Sequence, residues 1–81
     1  MTIQITDKDI LNGIRGSASS CPIALALRRE TGKKFYVNST TAEYYDEDTG
    51  VEKVIKLPFL AKSFVKKFDE KLKVLPFSFQ V

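Results

Sequence analysis

Histidine and tryptophan are missing from this chain of 81 residues, and cysteine occurs once, at Cys21. Without histidine, the Cys-His and Ser-His pairs and the commonest general base are excluded together. A single cysteine closes no intramolecular disulfide, and with no histidine beside it only carboxylates are left to hold a metal. Asp46, Asp48 and Glu52 lack the glycine placement and ligand number of a calcium loop. The phosphate-binding pattern G-x-x-x-x-G-K-[ST] is also absent, so hydrolysis of a nucleoside triphosphate finds no support. No catalytic residue, metal site or cofactor is expected. No apolar run approaches the ~20 residues that span a bilayer, and no signal peptide precedes Met1-Thr2-Ile3. The expectation is no membrane contact and a cytoplasmic location.

What is present is an ordinary globular composition. The chain is 43% hydrophobic and 28% charged, with six phenylalanines, which suits a folded domain and not a disordered tail. A single domain of this size buries roughly 60% of its unfolded surface. Its stability is therefore modest unless it forms a homo-oligomer. Thirteen basic and ten acidic side chains leave a net charge of +3, which tolerates anionic partners but is low for a dedicated nucleic-acid protein.

Thr2 to Ile5 alternate polar and apolar, as a half-buried strand does. Thr6-x-x-Asp9 is a capping-box variant that opens a short helix carrying Ile10, Leu11 and Ile14, and Asn12-Gly13 ends it. After a loop at 15 to 20, Pro22 marks the first turn of a nearly apolar helix over residues 22 to 31. Arg28-Arg29 lie near its end, and Gly32 stops it. Phe35 and Val37, then Tyr44 and Tyr45, read as two strands separated by the turn formers Asn38 to Thr41. Asp46 to Gly50 form an acidic turn, and Val51 to Leu57 return as the partner strand of a hairpin. Pro58 opens a last helix with Leu60, Ala61, Phe64, Val65, Phe68 and Leu72 on its buried stripe. Lys73 to Val81 is extended, with Phe77 and Phe79 on one face. The fold class expected is α+β, a small, mainly antiparallel sheet of three to four strands packed against about three helices.

Two sets of residues carry candidate binding chemistry. Arg15, Gly16, Ser17, Ser19 and Ser20 precede a helix N-terminus, where free N–H groups and the macrodipole favour an anion, and Arg28 and Arg29 add charge. The plainer reading is that these small residues connect two closely packed helices. Cys21, at the helix start, reads better as a buried structural residue than as a nucleophile. The second set is Lys62, Lys66, Lys67 and Lys71 on the exposed side of the last helix, with Tyr36, Tyr44 and Tyr45 as stacking surfaces for a protein or nucleic-acid partner. Asp69 and Glu70 interleave with these lysines, as on an ordinary solvated face.

Asp9-Ile10-Leu11-Asn12-Gly13, Cys21-Pro22-Ile23-Ala24-Leu25-Ala26-Leu27 and Leu75-Pro76-Phe77-Ser78-Phe79 together give the chain a resemblance to a set of small bacteriophage and prophage proteins without an established activity. In these a Cys-Pro-(Ile/Val)-Ala-Leu-Ala-Leu helix precedes a Pro-Phe-Ser-Phe tail. The resemblance implies a phage origin and a host bacterial cell, and it transfers no catalytic residue. A binding protein is then the leading expectation, one that counters host defence by sequestering a nucleotide or another small anion at residues 15 to 20. The alternative is an anti-CRISPR-like or nucleic-acid-associated protein that binds a host macromolecule through its lysines and tyrosines.

Overall fold

The computed structural model describes residues 1–81 as three helices and five strands. Strand β1 (Thr2–Ile5) leads to α1 (Asp7–Asn12) and α2 (Pro22–Thr31). Strands β2 (Tyr36–Val37), β3 (Thr41–Asp46) and β4 (Val51–Lys56) follow, then α3 (Phe59–Asp69) and β5 (Phe77–Gln80). The α+β class is as the sequence implies. The strands divide between two antiparallel sheets, one formed by β1 and β5 and the other ordered β2-β3-β4. Between them stands α2, which packs on β1, β2 and α1.

Local chemistry sets the boundaries. Thr6 caps α1 through a reciprocal box, in which its hydroxyl accepts from the Asp9 amide and the Asp9 carboxylate accepts from the Thr6 amide. Asn38 Oδ1 accepts from the Thr40 and Thr41 amides and fixes the turn into β3. Gly32 takes φ 73° and its N–H returns to the Arg28 carbonyl, closing α2 in a left-handed cap.

Ile3 and Ile5 of β1, Pro22, Ile23, Ala24, Ala26 and Leu27 of α2, and Phe35, Ala42 and Ala61 make up the most completely buried part of the core. On α3 the buried line is Ala61, Phe64 and Phe68, with Val65 half-buried. Phe64 joins α3 to β5, its ring lying 5.0 Å from that of Phe77. Two residues of the expected stripe stay at the surface. Leu60 is 62% exposed, because the line through Ala61, Phe64 and Phe68 turns it outward. Leu72 is 54% exposed and lies beyond the helix, which ends at Asp69. Lys71, expected on the exposed face of the last helix, is in the turn after it at φ 64°.

Gly13 has φ −68°, a conformation open to any residue, so its requirement is for space. A Cβ there would lie 2.5 Å from Pro22 Cγ and Cδ and 2.9 Å from the Asp9 carbonyl oxygen. Neither a proline ring nor a helix carbonyl yields cheaply. Gly13→Ala is expected to lower unfolding stability by about 1–3 kcal/mol in urea denaturation, the usual cost of overpacking. Lys71→Gly is expected to raise it by about 1 kcal/mol in the same assay, by relieving a left-handed non-glycine residue.

Candidate functional site

The loop before α2 is held by the end of α3. Arg15 Nε donates to the Phe68 carbonyl at 3.0 Å, and the guanidinium carbon lies 5.3 Å from the centre of the Phe68 ring. A cation is favoured there, at the negative end of the helix dipole. The Gly16 amide donates to Asp69 Oδ1 at 3.3 Å, and the Ser20 amide donates to Ser17 Oγ at 3.2 Å. Ser19 is half-buried within the same loop. At the start of α2 the Ala24 amide donates to Cys21 Sγ at 3.4 Å. Much of the donor set offered by the sequence to an external anion is thus engaged inside the protein, partly with the carboxylate of Asp69.

A cleft of about 130 Å³ remains between this loop and α3, lined in part by Cys21, Phe64, Phe68 and Asp69. Burial pushes the Cys21 thiol pKa up, the amides of Ala24 and Ile23 work against that, and the Asp69 carboxylate adds to the rise. With the thiol held protonated and a carboxylate in its lining, this cleft offers no thiolate nucleophile and disfavours an anion. Arg29 is also committed. Its Nη1 meets Asp9 Oδ1 at 2.6 Å and its Nη2 donates to the Gln4 carbonyl at 2.6 Å, tying α2 to α1 and β1. Arg28 is exposed.

The tyrosines separate according to the register of the sheet. Tyr36 lies opposite Glu43, so Tyr45, two residues further along β3, shares its face as a diagonal neighbour. These two rings are 50% and 62% exposed. Tyr44 points to the other face, half-buried, with its ring 4.8 Å from that of Phe35; its part in the expected stacking set falls to the core. The two lysines that follow the Gly32 cap extend over aromatic rings. Lys33 Nζ is 5.5 Å from the Tyr44 ring centre and Lys34 Nζ is 5.6 Å from that of Tyr36. Lys33, Lys34, Tyr36 and Tyr45, with Glu47 and Asp48 from the hairpin turn, line a cleft of about 440 Å³.

The lysines of α3 form a different surface. Lys62 and Lys66 border a groove beside Phe59, Asp69 and Glu70, whereas Lys67 borders one with Leu60, Leu75 and Phe77. No cleft is lined by both the tyrosines and these lysines. Alternation from Lys34 to Tyr36 signals the position of Lys34, but nothing local places Glu47 or Asp48 in the same cleft. No protein-family model matches the chain, and neither does a curated protein or a solved structure.

Asp9 is the one buried charged residue, 5% exposed. Burial alone would raise its pKa, but hydrogen bonds from Arg29 and from the Thr6 amide and hydroxyl outweigh it and hold the carboxyl below its ordinary value. A depressed carboxyl pKa contributes stability that is complete above the unfolded value of about 3.9 and is lost as pH falls through the folded value. Arg29→Gln is expected to cost about 1.5–3 kcal/mol near neutral pH, the range for a charged hydrogen bond. That difference from the unsubstituted chain should shrink in urea titrations below about pH 4, as Asp9 protonates. A difference constant across pH would place the contribution of Arg29 elsewhere.

Proposed function

We propose that the chain is a non-catalytic binding protein that captures a nucleotide unit in the cleft of Tyr36, Tyr45, Lys33 and Lys34. One observation carries the reading: two exposed tyrosines on one sheet face line a single cleft with Lys33 and Lys34, and the Lys34 ammonium lies over the Tyr36 ring. An aromatic face stacks on any nucleobase, and an ammonium next to it neutralises the attached phosphate. Glu47 and Asp48, which line the same cleft, supply acceptors for exocyclic amino groups and disfavour a bare polyphosphate. The nucleotide is either free, as a signal of host defence that a phage accessory protein sequesters in the cytoplasm, or part of a single strand. Both present the same base and phosphate. The resemblance to phage proteins supports the setting, and the absence of histidine supports binding without turnover.

Calorimetric titration with mono-, di- and cyclic nucleotides and with a short single-stranded oligonucleotide tests this. Tyr36→Ala and Tyr45→Ala are each expected to weaken binding by about 1–3 kcal/mol, the worth of a stacked base. Lys34→Gln should lower the salt dependence, and Arg15→Ala should leave affinity unchanged. Binding of the mononucleotide as tight as that of the oligonucleotide identifies a free signal; a gain with strand length identifies nucleic acid. No binding by the unsubstituted chain at high micromolar concentration refutes the reading. Loss only on changing Lys62, Lys66 and Lys67 to Gln moves the contact to the α3 surface.

A further inference from the structure

Strand β4 is the outer edge of the three-stranded sheet, and every residue in it except Ile55 is exposed. The direction of its backbone groups follows from one hydrogen bond. Leu57 N–H donates to the Thr40 carbonyl at 2.9 Å, just beyond the Thr41–Lys56 pair of the β3–β4 register. Because an antiparallel ladder alternates, Val51, Lys53 and Ile55 direct their N–H and C=O toward β3. Glu52, Val54 and Lys56 direct theirs away, and β4 has no second strand beside it. Six residues contain no proline and carry an exposed valine, Val54, 58% accessible, at the centre. Such an edge is a template for another strand.

We propose that β4 pairs with β4 of a second copy, antiparallel about a two-fold axis through Val54, to give a continuous six-stranded sheet. Charge selects both this occupant and this register. A two-fold axis normal to the sheet keeps each residue on its own face, so the axis must pass through a residue. Centred on Val54, the pairing sets Glu52 opposite Lys56 of the second copy and Lys56 opposite its Glu52, with Val54 against Val54. Every outward N–H and C=O of Glu52, Val54 and Lys56 then finds a partner. Lys53 meets Ile55 on the other face and opposes no like charge. Moving the axis to Lys53 would set Lys53 against Lys53, and moving it to Ile55 would bring Pro58, which has no N–H, opposite Glu52. Lysine on an edge strand ordinarily discourages pairing; here Lys53 and Pro58 reject the neighbouring registers, and Glu52 with Lys56 completes this one. The contact is isologous and closes at two copies. It does not depend on the proposed nucleotide cleft, and its test contains no nucleotide.

Sedimentation equilibrium over a range of concentrations, with amide hydrogen exchange, gives the test. A monomer–dimer equilibrium is expected, with the amides of Glu52, Val54 and Lys56 gaining protection as concentration rises. Those of Val51, Lys53 and Ile55 should be protected at every concentration. Glu52→Lys or Lys56→Glu alone places like charges opposite each other twice and should raise the dimer dissociation constant roughly tenfold. The double change Glu52→Lys with Lys56→Glu should restore it. Val54→Pro removes an N–H that points away from β3, so it should abolish the dimer while circular dichroism shows the fold retained. A chain that remains monomeric up to about 1 mM overturns the proposal, as does a dimer indifferent to Val54→Pro or one that the double change fails to restore.

Discussion

The burial of α2 holds two sheets in one core. The β1–β5 pair and the β2–β3–β4 sheet share no strand, and their common contact is the helix that packs on both β1 and β2. Ile23, Ala24, Ala26 and Leu27 are each at most 1% exposed and Pro22 is buried with them, so the first two turns of α2 are covered on most sides, while Arg28, Arg29 and Glu30 leave its end in solvent. A helical segment apolar on most sides is stable only inside a protein. The placement of Gly13 against Pro22 follows, because α1 must approach the first turn of α2 closely to cover it. The Arg29 contacts with Asp9 and Gln4 secure the other end, where the helix emerges between α1 and β1.

Features encoded within a few residues were legible in the sequence. Thr6 and Asp9 specify their capping box, Pro22 and Gly32 bound α2, the alternation from Lys34 to Val37 follows period two, and the acidic turn at Asp46 to Gly50 marks the β3–β4 hairpin. The division into two sheets was not legible, because a strand pattern records which face is buried and not which strand lies alongside. Thr2 to Ile5 would read the same had they joined β2. Leu60 was misplaced for a related reason. Its spacing from Phe64 allows a buried stripe, yet only the packing of neighbours on α3 decides which of two adjacent apolar residues faces inward.

The loop at residues 15–20 shows how a local pattern can have two meanings. Small residues, an arginine and a helix start are equally suited to an anion brought from solution and to one supplied by the chain. Here Asp69 takes one of the amides, and Phe68 presents its carbonyl and its ring to Arg15. The separation is 53 residues in each case, beyond the reach of any motif. The aromatic cleft has the opposite history. Its two tyrosines were visible, but their joint exposure depended on register, which turned Tyr44 to Phe35 and left Tyr36 and Tyr45 outward.

At the other end of the molecule the chain closes on itself. The Val81 amide donates to the Met1 carbonyl at 3.0 Å, and the Met1 ammonium donates to the Val81 carbonyl at 3.1 Å. Pairing β1 with β5 joins residues almost the full chain length apart, which carries the largest loop-closure entropy in the fold. The β3–β4 hairpin, joined by a short turn, carries little. The two sheets therefore differ in what their closure costs, little for the hairpin and most for the terminal pair, and non-local pairing of the second kind slows the folding of the whole chain.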